Sequence, residues 1–174
     1  MPATRTLTSR RAALAATGAA AAAGLLAACS DSTAPDADRG AAEQARAARA
    51  EAALRLRTSA ASTALRDRYQ AVSVRHPLVR DRLAPLREEA AQHATALAAG
   101  HAQQPSAPSS TLPAAVPDDP SEALRELAAT ARQVSDTHTA ALTGAPPELA
   151  RLLASVAAAG AVHAYLLTRR EGGS

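Results

Sequence analysis

The chain has no lysine, no phenylalanine and no tryptophan, and its 174 residues include one cysteine and two tyrosines. Its apolar volume therefore comes from leucine, valine and alanine, which fill a core only if the backbones approach closely. Without large aromatic side chains, a deep apolar ligand pocket is disfavoured. A single cysteine excludes an internal disulfide.

The formal net charge of +3 belongs to the N-terminal segment. Residues 1–28 contain three arginines and no acid, and the remainder contains as many arginines as acids. A nucleic-acid partner would need a net basic face, so none is expected. The charge is uneven, because residues 39–82 are basic and residues 118–148 are acidic. Either these faces pair across a helical domain, or the basic part lies against anionic lipid headgroups.

The first 29 residues have the organisation of an export signal that ends in a lipid-attachment site. Arginines precede the uncharged run 12–28, which is too short and too weakly apolar for a span of ~20 residues but suits a signal peptide. The run ends in Leu26-Ala27-Ala28-Cys29, which resembles a bacterial lipobox. In a lipobox two small residues precede a cysteine whose thiol receives a diacylglyceryl group. We expect cleavage before Cys29 and a lipid-anchored chain on the extracytoplasmic face of the cell membrane.

The export route is suggested by Ser9-Arg10-Arg11-Ala12-Ala13-Leu14. This segment resembles a twin-arginine motif, with Arg10 and Arg11 in place and Ala13 where an aromatic residue is usual. The alternatives are a general export signal with two adjacent arginines, and an alanine-rich signal that is cleaved elsewhere and contains a chance cysteine.

The rest of the chain is predicted to be all-α. Residues 29–40 are polar and include Pro35, so they are predicted to be a flexible tether. Residues 41–170 are predicted to form one four-helix bundle, and residues 171–174 a short tail. The predicted helices are 41–75, then about Pro77 to Ala99, then a helix capped by Ser121 and ended by Gly144, and finally one opened by Pro146-Pro147. Pro85 predicts a kink or a later start in the second helix. Residues 101–120 contain five prolines and are predicted to be a loop.

Each predicted helix has an apolar stripe at steps of three and four residues. His93, His138 and His163 lie on the stripes of the second, third and fourth helices, and Glu89 lies one turn before His93. Helical bundles build metal sites from such inward carboxylates and imidazoles, so these four residues are a candidate transition-metal site. The alternative is three buried histidines hydrogen-bonded to their neighbours. His76 and His101 are expected to be exposed at helix boundaries.

Residues 83–89 leading to His93, and residues 145–155 leading to Ala161-Val162-His163-Ala164, resemble small actinobacterial exported proteins with a ferritin-like domain of unknown function. The resemblance covers about 59–167. It implies a ferritin-like four-helix bundle with a long Pro-rich crossover between helices two and three. Such domains often place Glu three residues before the histidine of the fourth helix, where this chain has Gly160. The second helix has Glu89-x-x-x-His93 rather than Glu-x-x-His, so iron oxidation or storage is not implied.

The connection between the second and third helices decides which histidines are neighbours. A crossover as long as the bundle makes these helices parallel, and we then expect His93 and His138 near one end and His163 near the other. Simple up-and-down wiring would instead bring His93 beside His163. With either connection, a metal would receive at most two histidines and Glu89.

No catalytic constellation is recognisable in the sequence. There is no Gly-x-Ser-x-Gly elbow and no phosphate-binding glycine loop. The sequence therefore predicts a membrane-anchored, non-catalytic lipoprotein that serves as an interaction or envelope module, with an unknown protein partner. The alternative is a degenerate ferritin-like protein that binds a transition metal through Glu89, His93, His138 and His163. A small-ligand binding protein is disfavoured by the missing aromatics.

Overall fold

A computed structural model describes residues 34–99 and 115–169 of the chain. Within these ranges the predicted all-α fold is confirmed: there are α-helices, two short 3-10 helices and no strand. The helices are α1 Ala34–Arg75, α2 Arg80–Ala98, α3 Pro120–Ala141 and α4 Pro147–Thr168, and the 3-10 segments are Pro77–Val79 and Leu142–Gly144.

Several predicted features lie outside the described residues. They are Arg10 and Arg11, the lipobox Leu26–Cys29, most of the proline-rich segment and the tail.

Internal contacts divide the chain into two units, 1–42 and 43–174. In the first unit, residues 34–42 are helical. α1 thus begins at Ala34 rather than near residue 41, and it includes part of the segment predicted as a tether. Pro35 is tolerated in the first turn, where no backbone N–H is needed, and the following Ala, Arg, Glu and Gln favour a helix. All contacts described below lie within the second unit.

Prolines and one carboxylate set the helix starts. His76 adopts φ −126° and ψ 80° before Pro77, outside the helical region, so α1 ends there. Pro85 lies inside α2, which continues through it. The N-cap of α3 is Asp119, whose carboxylate accepts a 2.7 Å hydrogen bond from the Glu122 amide. The predicted cap, Ser121, is wrong because Pro120 takes the first helical position.

An arginine of α2 closes the C-terminal end of α4. Nη2 of Arg82 donates to the carbonyl oxygens of Leu166, Leu167 and Arg169 at 2.6, 3.2 and 2.8 Å. These carbonyls have no partner further along the helix, and a cation is favoured at the negative end of the helix dipole. Arg82 therefore stabilises the α4 terminus and fixes it against α2.

Contacts between helices give their directions. α1 and α2 are antiparallel, because Arg55 donates to the carbonyl of Ala99 at 3.2 Å while Gln70 accepts from Arg87. α4 is antiparallel to α2 as well, since Arg82 bonds the end of α4.

α3 also runs antiparallel to α1. Arg68 donates to the carbonyl of Ala115 at 3.2 Å and pairs with Glu126 at 3.0 Å, and Arg75 pairs with Asp118. Because both α2 and α3 oppose α1, they run in the same direction. α2 thus ends beside Arg55, and α3 begins about four to six turns away along α1, beside Arg68 and Arg75.

The core consists of two apolar clusters with polar side chains between them. The cluster towards the α1–α2 turn contains Leu65, Tyr69, Val72, Leu83, Leu86, Ala90, Ala123, Leu127, Ala128, Ala131, Ala164 and Leu167. The cluster at the other end contains Leu54, Leu97, Leu149, Leu153 and Val156. The buried polar side chains between them, here called the polar belt, are Thr58, Ser62, Ser135, His138 and His163.

α3 and α4 pack closely because small residues meet in the polar belt. A Cβ at Gly160 would lie 3.1 Å from the Ser135 Cβ and 3.5 Å from the carbonyl oxygen of Ala131. The Ser135 hydroxyl donates to the Ala157 carbonyl at 2.7 Å. Residue 160 therefore faces a neighbouring helix across a space that a glutamate side chain cannot enter without separating α3 from α4.

One helix of the described ranges, α4, is long and apolar enough to cross a membrane by length and composition, with a mean hydropathy of 1.4. Its Leu149, Leu153, Val156 and Leu167 are core residues of the bundle. A buried helix of a soluble domain meets the same criterion, so the composition of α4 is accounted for in part by the core.

Candidate functional site

Glu89 lies between two of the predicted histidines. Its Oε2 is 2.9 Å from Nε2 of His163, and its Oε1 is 3.7 Å from Nε2 of His93. The expectation that parallel second and third helices would separate His93 from His163 is therefore wrong, and the two histidines are neighbours, as was expected only for up-and-down wiring. The reason is the register of α4 against α2. Leu153 of α4 and Leu97 of α2 pack in the same cluster, so they lie at the same level. From there His163 lies about three turns further along α4 and Glu89 about two turns back along α2, which brings them to nearly the same level again because the helices are antiparallel.

His163 is buried and makes a second hydrogen bond, to α1. The hydroxyl of Tyr69 is 3.1 Å from Nδ1 of His163, with the rings edge to face at 5.9 Å. Burial, and then the nearby charge of Glu89, raise the pKa of Tyr69, so the phenol is neutral and can donate. Tyr69 then donates to Nδ1 of His163, and Nε2–H donates to Glu89. This chain, here called the Tyr–His–Glu relay, connects α1, α4 and α2.

His138 lies apart from the contacts of Glu89. Its Nε2 is 3.2 Å from the Thr58 carbonyl oxygen and 3.4 Å from the Ser62 hydroxyl, which links α3 to α1. The side chain is fully buried, and its Nδ1 has no hydrogen-bond partner among the described residues. Burial lowers the pKa of His138, and the bond to Thr58 offsets part of this effect. The neutral imidazole, with a proton on Nε2, is the form this site accepts.

His93 is the most accessible of the three imidazoles, with 20% of its side chain exposed. Burial lowers its pKa, Glu89 opposes that effect, and the imidazoles of His163 and His138 lower it further. The three histidines are thus close enough to interact electrostatically across the middle of the bundle. Glu89, with 46% of its side chain exposed, carries the relay to the surface.

The arrangement does not form a ready metal site. Across residues 34–99 and 115–169, no group of three or more His, Cys, Asp or Glu side chains is placed to hold a metal ion. Of the four predicted ligands, Glu89, His93 and His163 come together and His138 does not. The donation from Tyr69 to Nδ1 also leaves a proton on Nε2 of His163, and a metal could bind that atom only after the proton moved.

Two other sites are less suited to chemistry. His76 was expected to be exposed, but it is half-buried, and its Nε2 donates to the Pro117 carbonyl at 2.9 Å, which fixes the start of α3. His101 lies outside the described residues. An open polar groove of about 270 Å³ between α1 and α2 is lined by Arg66, Asp67, Gln70, Arg87, Glu88 and Ala91. It is neither deep nor apolar, unlike sites that enclose a small ligand.

Tyr69 lies on the buried apolar face of α1, but the sequence alone did not identify it as the partner of His163. The signal was present, because a tyrosine on a buried stripe carries a hydroxyl that needs a hydrogen-bond partner. The identity of that partner required the register of α4 against α1.

No protein-family model, no curated protein and no solved structure matches the chain. The resemblance to exported ferritin-like proteins therefore stays a prediction.

We expect Tyr69→Phe to destabilise the fold by about 1–3 kcal/mol, because Nδ1 of His163 would remain buried without its donor. The matched control is Tyr165→Phe on the exposed face of α4, where the change should stay within about 0.5 kcal/mol. Urea unfolding followed by circular dichroism measures both. Equal midpoints for the two variants would show that the relay contributes nothing to stability.

His138 makes folding stability depend on pH. Its pKa in the folded chain lies below the ordinary value of 6.5, so the unfolded chain binds more protons, and stability should fall as pH drops below about 6.5. His138→Gln keeps an N–H near the Thr58 carbonyl but does not titrate. Its unfolding free energy should therefore decline less between pH 7 and pH 5 than that of the parent, and a parallel decline would contradict this account.

Proposed function

We propose that the chain is a lipoprotein, attached by a lipid on Cys29 to the extracytoplasmic face of the cell membrane, whose helical domain works by association rather than catalysis. The observation that supports a non-catalytic role is that the buried polar side chains hydrogen-bond to one another and hold the helices together. His163 is held between Tyr69 and Glu89, and His138 is bonded to α1. These groups bond to one another inside the bundle and stabilise its packing.

The anchor rests on the leader and lipobox of the sequence, Leu26 to Cys29. A lone cysteine directly after two small residues has a clear use as a lipid acceptor and none as a disulfide partner. Arg10 and Arg11 would direct export by the twin-arginine route. The membrane is thus the first proposed partner, and a protein of the envelope is the second.

A ferritin-like arrangement of the helices is part of the proposal. It is supported by the parallel directions of α2 and α3, with Ala99 near Arg55 and Ala115 near Arg68. The proline-rich segment 101–120 would then be the long crossover. Other four-helix bundles with one long connection have the same helix directions. The proposal therefore concerns the architecture only and does not imply iron chemistry.

Transition-metal binding is a second candidate, favoured by one observation. Both oxygens of Glu89 face an imidazole Nε2, at 2.9 and 3.7 Å. Ligands of a tetrahedral ion with bonds of about 2.0–2.1 Å are about 3.3 Å apart, which these two distances bracket. Glu89, His93 and His163 would be the protein ligands once Nε2 of His163 gave up its proton and the side chains adjusted to the ion, and His138 would take no part.

The anchor can be tested with Cys29→Ala. This variant should move the protein from the membrane fraction to the medium, or leave its leader uncleaved, because no thioether can form. Cell fractionation and mass spectrometry of the N-terminus report both results. Unchanged membrane attachment and unchanged processing would rule out the lipid.

The metal candidate can be tested by thermal unfolding of the Cys29→Ser chain, which removes the competing thiol. An ion that binds only the folded state should add about 2.7 kcal/mol at 100 times its dissociation constant. We expect Glu89→Gln to abolish the shift and His138→Gln to retain it. No shift with Zn²⁺, Fe²⁺ or Cu²⁺ would eliminate this function.

A further inference from the structure

The arginines of α1 in the second unit fall into two groups. Four of them pair with a carboxylate: Arg55 with Glu51, Arg66 with Asp67, Arg68 with Glu126 and Arg75 with Asp118. The other three, Arg46, Arg49 and Arg57, are exposed and have no ion pair or hydrogen bond within residues 34–99 and 115–169. The sequence allowed the basic segment either to pair across the domain or to face lipid. Pairing accounts for the first group only.

The three unpaired arginines lie on one side of α1, away from the core. They share an arc of about 100° around the helix axis with a leucine and two alanines. The buried residues of this part of α1, Leu54, Thr58 and Ser62, lie on the opposite side. We call this surface the α1 basic face, and its six exposed residues are Arg46, Arg49, Ala53, Leu56, Arg57 and Ala60.

The α1 basic face has no negative charge to offset its arginines. Between Glu43 and Asp67 the chain contains one acid, Glu51. That residue lies on a different side of the helix and pairs with Arg55. Like charges that are not neutralised by their neighbours raise the local potential and attract anions. The face therefore favours a partner whose negative charges are spread over a surface.

Leu56 gives the same face an apolar centre. Its side chain is 55% exposed, whereas Leu54 beside it in the chain is 8% exposed. On a helix that lies on a membrane, apolar side chains enter the headgroup boundary while arginines keep their charge among the phosphates. Ala53 and Ala60 have side chains too small to hold Leu56 away from such a surface. The combination of arginines, alanines and one leucine thus suits a shallow contact with headgroups.

We propose that the α1 basic face lies against the anionic phospholipid headgroups of the membrane that carries the anchor. The inference rests on the proposed function and names the part of the domain that contacts the lipid. Arg46 follows Cys29 by 17 residues, which span at most ~60 Å. The anchor therefore holds the face at a high effective concentration near the headgroups, and a contact that is weak by itself suffices.

The character of the face favours a bilayer over an acidic protein. Its apolar part is a single leucine, whereas protein interfaces centre on clusters of large anchors such as tryptophan, tyrosine and arginine in fitted pockets. Its arginines are spread over about 17 Å of helix from Arg46 to Arg57. An anionic bilayer offers negative charge at every position and so needs no fitted geometry. Because all three arginines are exposed, the contact should be sensitive to salt.

The first test uses the full chain with Cys29→Ser, which does not depend on lipidation. Ala53→Cys carries an environment-sensitive fluorophore on the α1 basic face, and Ala129→Cys carries the same label at an exposed site of α3. With vesicles that contain phosphatidylglycerol, we expect blue-shifted, brighter emission from residue 53 and unchanged emission from residue 129. About 0.5 M NaCl should reverse the change. No response at residue 53, equal responses at both positions, or an equal response to pure phosphatidylcholine would overturn the proposal.

The second test removes charge from the face. In the chain labelled at residue 53, Arg46→Gln/Arg49→Gln/Arg57→Gln should weaken vesicle binding about fivefold for each charge removed. The matched control, Arg125→Gln/Arg132→Gln/Arg151→Gln, removes the same net charge from exposed positions of α3 and α4 and should bind like the parent. The leader is the same in every variant, and circular dichroism checks that each is folded. Equal losses in the two triple variants would show that net charge attracts the vesicles, which contradicts a role of this face.

An acidic protein partner gives a distinct result. If polyglutamate binds in a manner that depends on the three arginines, and vesicles give no response, the face contacts acidic protein and the lipid proposal is wrong. The anchor is judged separately, by the membrane attachment of the parent and of Cys29→Ala. Because Cys29→Ser is present in both tests of the face, failure of the lipid contact leaves the anchor standing, and failure of the anchor leaves the lipid contact standing.

Discussion

The two hydrogen bonds of His163 are the interaction on which the arrangement of three helices depends. A core of leucine, valine and alanine can be filled in several registers, because small side chains distinguish poorly between neighbouring positions. Tyr69 of α1 and Glu89 of α2 both hydrogen-bond to the imidazole of His163. Both bonds form only when α4 has one particular axial register relative to α1 and α2. His138 does the same for α3 through its bond to Thr58. A polar belt of this kind selects one arrangement by making the others leave buried polar atoms unpaired.

The same belt gives the inward histidines a structural use. The relay places a proton, rather than a lone pair, between His163 and Glu89. At Gly160 the backbone of α4 lies against Ser135, so a side chain there would require α3 and α4 to move apart. A bundle with inward histidines can therefore use them as structural hydrogen-bonding groups. From the sequence alone, the same inward histidines and glutamate are interpreted as metal ligands.

The sequence predicted the helices well, because their boundaries are local. Pro77, Pro120 and Pro147 each lie in the first turn of a helical segment, and the apolar stripes identify most of the buried residues. Register between helices could not be predicted, since it depends on how far α4 extends beyond α2. That distance decided the position of His163. Smaller errors arise where neighbouring residues are both suited to the same position. Asp119 and Ser121 can each cap a helix, and Asp119 is the N-cap of α3.

The contact of Arg82 with the end of α4 has a consequence for local opening of the domain. Three carbonyl oxygens from the last turn of α4 share one guanidinium that belongs to α2. If α2 moves away, those oxygens lose their donor at the same moment as Glu89 leaves His163. Fraying of the α4 terminus and detachment of α2 are thus one event, so amide exchange in these two segments should follow a common opening free energy rather than two separate ones.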